Sequence, residues 1–418
     1  MRKDVILKDN MEYIDGTLHI SGVNIKEIAD RYGTPLYVYD RAGLVSNITN
    51  YNEAFKNVEH LICYAVKANY NRRIIELFKE EGAGADVVSG GELYMAVRAG
   101  IAPSKIVFAG VGKSSREIKE AVKAGVLQIN IESRQELMAV NDIAGQMGET
   151  ANIALRINPD IDSKTHPKIS TGLKESKFGI HEERAVEIYK EAARMENAAV
   201  KGVHLHIGSQ ITEMKPFDLA ASAAVNFTDR LKKEGIELEN IDIGGGLGIG
   251  YETSRIPTAA DIYDTVNKYF GGRKEKLILE PGRSLAGNAG YLLTKVEFVK
   301  KGAEKNFVVV DAGFNDLIRP AMYDAYHEIV PVNPDGETMV ADVVGPVCET
   351  GDHIALNRKV AGIKQGNILA ICDSGAYGFS MASNYNSRLR PAEVIIDSGA
   401  EQLIRTREAY SDLVRNEV

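Results

Sequence analysis

Eight short, β-rich apolar runs follow one another at near-even spacing through the middle of this chain, and that repetition narrows its possible folds more than any other feature. They fall at residues 61–66, 85–88, 105–109, 127–131, 152–157, 201–207, 240–243 and 276–279. Each has the length and the β-branched or aromatic content of a buried strand. Helix-period segments lie between them, among them 72–81, 91–99, 115–124 and 134–146. An open, doubly wound sheet uses the same units, but eight near-equal ones favour closure into a (β/α)8 barrel.

After residue 282 the alternation stops. Runs at 291–300, 306–311, 337–344, 367–372 and 392–396 read as strands separated by Gly, Pro and Asp turns. With 418 residues the chain has room for two domains. The expected class is α/β: a TIM barrel over 35–285, and a mainly-β barrel or sandwich over 286–418. Segment 1–34, with Thr17-Leu18-His19-Ile20 and a helix over 25–32, is expected to complete the β domain.

The formal net charge of −8 argues against nucleic acid or an anionic membrane as a partner. No apolar run approaches the roughly 18 residues of a membrane span. Met1-Arg2-Lys3-Asp4 leads into polar sequence without an apolar signal core. Cys63, Cys348 and Cys372 form no spaced framework, which suits a reducing cytoplasm.

In a barrel of this kind the chemistry lies where strands end. Those ends carry Lys67, Asp86, Arg156, His206 to Ser209, Gly244-Gly245-Gly246 and Glu280-Pro281-Gly282-Arg283. Lys67 closes an apolar run, where desolvation frees an amine as a nucleophile. The plainer alternative is a lysine that snorkels out of a strand end. The three glycines let backbone N–H groups turn onto an anion, near strands 7 and 8 where this fold holds phosphate; the alternative is a tight turn. They are no dinucleotide fingerprint, because Ile249 stands where the third glycine belongs. Gly110-Val111-Gly112-Lys113-Ser114 fails as a phosphate loop, since Val107 takes the place of the first glycine. Lys113 then reads as a solvated loop charge.

His204 and His206 alternate onto one face of strand 6. Without further histidines at strand ends they read as one core and one stacking residue, and no metal is expected. Glu280 could keep a cationic ring nitrogen protonated, or pair with Arg283 at the rim. Outside the barrel, Cys348 lies among turn residues and reads as an exposed thiol, whereas Cys63 and Cys372 read as packing. Arg319 and Tyr323 offer a cation and a phenol to an anionic substrate. Tyr377 sits in a glycine-rich turn. For each of these a surface or packing role is the alternative.

Taken together, these stretches resemble the fold-type III pyridoxal-phosphate decarboxylases of the alanine racemase and ornithine decarboxylase superfamily, from about Pro35 to Arg388. The general likeness rests on Tyr64-Ala65-Val66-Lys67-Ala68-Asn69, His206-Ile207-Gly208-Ser209, Gly244-Gly245-Gly246 and Glu280-Pro281-Gly282-Arg283. A narrower likeness is to the branch acting on meso-2,6-diaminopimelate. It rests on His166-Pro167-Lys168-Ile169-Ser170-Thr171-Gly172, Lys177-Phe178-Gly179 and Arg319-Pro320-Ala321-Met322-Tyr323. Cys348-Glu349, Gly375-Ala376-Tyr377-Gly378 and Asn384-Tyr385-Asn386 add to it.

The resemblance implies pyridoxal 5'-phosphate carried on Lys67, His206 stacked on its ring and Glu280 at its ring nitrogen. Ser209, the glycine turn and Tyr377 would hold the phosphate, and Pro281, Gly282 and Arg283 complete the cofactor contacts. Arg283, Arg319, Tyr323, Glu349 and Tyr377 are the implied substrate contacts, and Cys348 the implied proton donor. The implied reaction yields L-lysine and CO2, the final step of lysine biosynthesis, in a cytoplasmic homodimer whose Cys348-Glu349 loop reaches into the partner's barrel. The alternative is a related decarboxylase of another basic amino acid or of carboxynorspermidine. A substrate without a distal carboxylate would leave Arg319 with no obvious role. A lid is expected over residues 165–179.

Overall fold

The computed structural model describes residues 7–161, 166, 177–251 and 256–418. Its contacts divide into two units. The first is a closed barrel of eight parallel strands: His60–Ala65, Gly84–Val87, Ile106–Phe108, Gln128–Ile131, Ala151–Asn158, Ala198–His204, Asn240–Asp242 and Lys276–Leu279. Each pairs with the next, and the eighth returns to the first through Leu277 opposite His60. All eight expected runs are strands, displaced by a few residues at their ends. The pairing of the eighth strand with the first is what distinguishes a closed barrel from an open doubly wound sheet, whose strands are also covered on both faces.

The barrel interior has layers of different character. Cys63, Val107 and Ile278 form an apolar cluster with Leu61 and Leu127 against it. A polar belt crosses the lumen elsewhere: Asn240 Nδ2 donates to Gln128 Oε1 at 3.1 Å, and Gln128 Nε2 donates to Asn130 Oδ1 at 2.9 Å. Several helices begin on a capping side chain just past a strand end. Asn71 caps Arg72–Glu80, Ser89 caps Gly90–Arg98, Ser114 caps Ser115–Ala124 in a capping box with Glu117, and Ser133 caps Arg134–Met147. Such caps contribute about 1 kcal/mol each and set where the loops between strand and helix stop. The rim of functional loops is thereby held at a fixed height.

The second unit is built on an antiparallel-rich sheet. An inner strand, Leu36–Asp40, pairs antiparallel with Gly290–Lys300 and parallel with Ala392–Asp397. The expected boundary at residue 35 is therefore too early. All five residues of Leu36–Asp40 are buried in the β sheet, and the unit runs on to Leu44. Tyr251 also belongs to it. Met11–Ile14, Thr17–Ile20 and Val23–Asn24 form a small sheet. Leu18, Ile20 and Ile25 share a core with Leu36, Val38, Leu293 and Val394, which is how the N-terminal segment completes this unit. The strand His353–Ile363 is an addition to the expected set. Its Asn357-Arg358-Lys359 centre disguised it, because it is an edge strand and edges carry charge. Among the described residues no helix is long and apolar enough to cross a membrane.

Candidate active site

Strand 1 gives way to a single 3-10 turn, Val66–Ala68, which lifts Lys67 out of the strand. Its side chain remains 34% exposed, while its ammonium lies 2.5 Å from Oδ2 of the fully buried Asp86 on strand 2. Burial, and then the charge of Glu280, push the Asp86 carboxyl above its usual range, and Lys67 pulls it back. The Lys67 ammonium is thus the charge that most favours an ionised Asp86. Glu92 lies near the same pair, accepts from Val88 N at 2.9 Å, and is pushed up to about 7 by burial.

Three buried groups converge from strands 6, 7 and 8. His204 Nε2 lies 3.3 Å from Glu280 Oε2, and the ligand atoms of His204, Asp242 and Glu280 all fall within 4.8 Å of one another. Two carboxyl groups this close share one charge. Burial and then the charge of Glu280 raise Asp242 well above the carboxylate range, so it holds a proton. Burial opposes ionisation of Glu280 too, but His204 and Lys67 outweigh it and hold Glu280 below the usual range. The result is an anionic Glu280 beside a neutral Asp242.

The loops beyond strands 6 and 7 are zipped together. Ile211 N donates to Gly246 O at 2.8 Å and Gly248 N to Ile211 O at 3.0 Å. Gln210 exchanges hydrogen bonds with the backbone of Ile249. A Cβ on Gly244 would lie 2.6 Å from Leu205 O, and one on Gly245 only 2.1 Å from Glu280 O. The backbone here runs too close to its neighbours for any side chain. Ser209 Oγ accepts from Arg283 Nη2 at 3.1 Å on the same rim. His206 Nδ1 accepts from Gly245 N at 3.3 Å. Burial, then the charges of Arg156 and Lys67, push its imidazole well below the usual range, which keeps the ring neutral.

The β unit carries the remaining candidates. Arg319 and Tyr323 sit four residues apart on the short helix Arg319–Tyr323, and Arg319 is buried. Cys348 is exposed, whereas Cys63 and Cys372 are buried. The Cys348-Glu349 loop is pinned by the Tyr385-Asn386 turn: Cys348 N donates to Asn386 Oδ1 at 3.0 Å, and Tyr385 OH to Glu349 Oε2 at 2.9 Å. Tyr377 has a left-handed backbone, φ 57°, between two glycines that admit no Cβ.

A family model described as "Pyridoxal-dependent decarboxylase, pyridoxal binding domain" matches residues 41–287. A diaminopimelate decarboxylase of Aquifex aeolicus is 49% identical over 97% of this chain and 96% of its own length. The chain belongs to the diaminopimelate decarboxylase family of pyridoxal-dependent decarboxylases. Solved structures agree. The diaminopimelate decarboxylase of M. jannaschii superposes with a TM-score of 0.93 at 44% identity, covering 98% of both chains. That of Helicobacter pylori, complexed with L-lysine, gives 0.91 at 43% identity over 94% of this chain and 99% of its own.

The cofactor of this decarboxylase is pyridoxal phosphate, and the barrel rim fits it. Glu280 Oε1 and Asp86 Oδ1 are buried without a hydrogen-bond partner among the described residues, as acceptors facing a cationic ring would be. Ser209 and Arg283, 3.1 Å apart on the same rim, offer a hydroxyl and a guanidinium to an ester phosphate. Lys67, His206, Ser209, Gly244, Gly245, Gly246, Glu280 and Arg283 all lie in the barrel unit, and Arg319, Tyr323, Cys348, Glu349 and Tyr377 in the β unit.

One expectation and one alternative fail. Lys113 is no solvated charge: its side chain is 1% exposed, and its ammonium donates to Gly110 O, Asn130 O and Glu136 Oε1 at 2.6–2.7 Å. It ties the loop after strand 3 to strand 4 and the following helix. Glu280 pairs with His204 rather than Arg283, whose partner on the rim is Ser209. Asp242 and Glu132 were overlooked, although an acid inside an apolar strand is a visible signal. Glu132 binds Arg156 at 2.8 Å and accepts from Gly179 N at 2.6 Å, while Arg156 lies 4.6 Å over the Phe178 ring. The 167–172 part of the His166 motif, and most of the expected lid, lie outside the described residues.

Proposed function

We propose that this chain decarboxylates meso-2,6-diaminopimelate to L-lysine and CO2, as the final step of lysine biosynthesis. The observation that carries the reading is Lys67 paired at 2.5 Å with the buried Asp86, close to the charge of Glu280, in a chain whose relatives bear that activity in their names. Pyridoxal phosphate, when bound, supplies the sink for the electron pair left behind as CO2 departs. Lys67 would carry it. To act as a nucleophile Lys67 must lose a proton, and Asp86 Oδ2, 2.5 Å away and already raised in pKa, is placed to take it. With the cofactor bound, Glu280 would hold its negative charge toward the ring nitrogen, and His206, kept neutral by burial, would offer a flat face without repelling the cation.

The distal end of the substrate is itself an amino acid, and Arg319 and Glu349 supply the cation and the anion that such an end requires. Cys348 Sγ is the proposed proton donor to the carbon that loses CO2. Its exposure in the β unit supports a role at a subunit boundary. The working form in this reading is a cytoplasmic homodimer in which the partner's Cys348 and the partner's Glu349 serve the Lys67 of this chain.

The test is a coupled assay of CO2 and L-lysine release with added pyridoxal phosphate, comparing meso-diaminopimelate with ornithine, arginine and L-lysine. Turnover of meso-diaminopimelate alone is expected. Preference for one of the other three would leave the roles of Lys67 and Glu280 standing and remove those of Arg319 and Glu349.

A further inference from the structure

Arg319 is gripped by two residues that none of the roles above involves. Its Nη1 lies 3.0 Å from His327 Nε2, with Arg319 4% and His327 0% exposed. A guanidinium can only donate, so Nε2 of His327 is the acceptor and keeps its lone pair. The ring proton therefore sits on Nδ1, which donates to the Cys372 carbonyl at 2.8 Å. His327 is thus neutral, in one tautomer, and fixed from both sides. Tyr251 adds a platform: its ring lies 4.8 Å from the Arg319 guanidinium carbon and meets the His327 ring edge-on at 5.4 Å. The buried Asp373, whose carboxyl Arg319 helps to stabilise as an anion, is held by Lys8 at 2.6 and 2.7 Å.

We infer that His327, backed by Tyr251, is a positioning residue that aims the Arg319 guanidinium and so sets the selectivity for ligands with a distal carboxylate. The inference rests on the proposed role of Arg319 as the carboxylate-binding cation. An arginine side chain has many rotamers, and a fork aimed in advance loses less freedom on binding. The neutral imidazole is suited to this because it accepts from the guanidinium without cancelling its charge.

L-lysine and 1,5-diaminopentane differ by one carboxylate, so their inhibition constants against meso-diaminopimelate turnover isolate the effect. The full-length holoenzyme is used throughout. His327→Asn keeps a donor for the Cys372 carbonyl and removes the acceptor for Arg319, whereas His327→Gln keeps an acceptor near the Nε2 position. In H327N the constant for L-lysine rises roughly 10- to 100-fold, the worth of one hydrogen bond to a charged group. The constant for the diamine stays put, KM for meso-diaminopimelate rises with that for lysine, and H327Q recovers most of the loss. A parallel shift for lysine and diamine, or none for either, overturns the inference.

Arg319→Ala separates the two levels. If it shifts the lysine-to-diamine ratio and H327N does not, the role of His327 is wrong and that of Arg319 survives. If Arg319→Ala leaves the ratio unchanged, the reading of Arg319 fails and the inference with it. Should H327N fail to fold, Tyr251→Leu at a half-buried position must weaken lysine alone, and an unchanged ratio there also overturns the inference.

Discussion

At the scale of single residues, the site turns on where protons rest. Asp86 and Asp242 are both fully buried acids at strand ends, and burial and the charge of Glu280 raise both, but at Asp86 the Lys67 ammonium opposes the shift. Their amides should therefore behave oppositely. Asp242→Asn imitates a carboxyl that already holds its proton, can still accept from Gly244 N, and is expected to keep the fold and most of the turnover. Asp86→Asn removes the base beside Lys67, and kcat is expected to fall at least tenfold, since a positioned proton acceptor contributes about 10²–10⁴-fold. Equal losses in the two variants, measured by kcat with circular dichroism as the folding check, would contradict these assignments.

At the scale of elements, loops are held by buried charges whose partners come from other elements. Lys113 links strand 3, strand 4 and a helix through three acceptors, and its replacement by Met leaves Glu136 buried without its cation. Breaking such a pair from one side costs about 3–5 kcal/mol, so Lys113→Met should lower Tm markedly, while turnover below the new transition persists. In the β unit Asp316 accepts from Gly313 N at 2.9 Å, and burial pushes its carboxyl up to about 7. A carboxyl raised in the folded state contributes its full stability below the unfolded pKa near 4, and loses it as pH rises toward 7. Asp316→Asn, which cannot ionise, should remove that part of the slope. Denaturation at pH 8 should find the variant more stable than the parent, by at most about 4 kcal/mol. No gain at pH 8 over pH 5 would mean that Asp316 is not protonated in the fold.

At the scale of the whole molecule, the barrel was legible because each of its strands is a local apolar run and the spacing repeats. Lys67, the glycine turn and Glu280 were legible for the same reason: each ends one of those runs. The fate of Leu36–Asp40 was not, since an apolar strand does not say which sheet it joins, and its partners lie more than 250 residues away in Gly290–Lys300 and Ala392–Asp397. The burial of Lys113 and the His204–Asp242–Glu280 cluster were hidden likewise, because both depend on side chains meeting across different strands.

The proposed sharing of sites between subunits makes its own prediction. Lys67→Ala and Cys348→Ala, each inactive alone, should recover roughly a quarter of wild-type activity when mixed and re-associated, because half the dimers then hold one intact site. No recovery would place Lys67 and Cys348 in the same subunit's site.

All of this presupposes that one lysine, at the end of strand 1, carries the cofactor. The direct measurement is to reduce the pyridoxal-loaded protein with borohydride, digest it, and map the pyridoxyl group by mass spectrometry. The account predicts the label on the peptide containing Lys67, and its loss together with turnover in Lys67→Ala. A label on another lysine, or full turnover by Lys67→Ala, would contradict it.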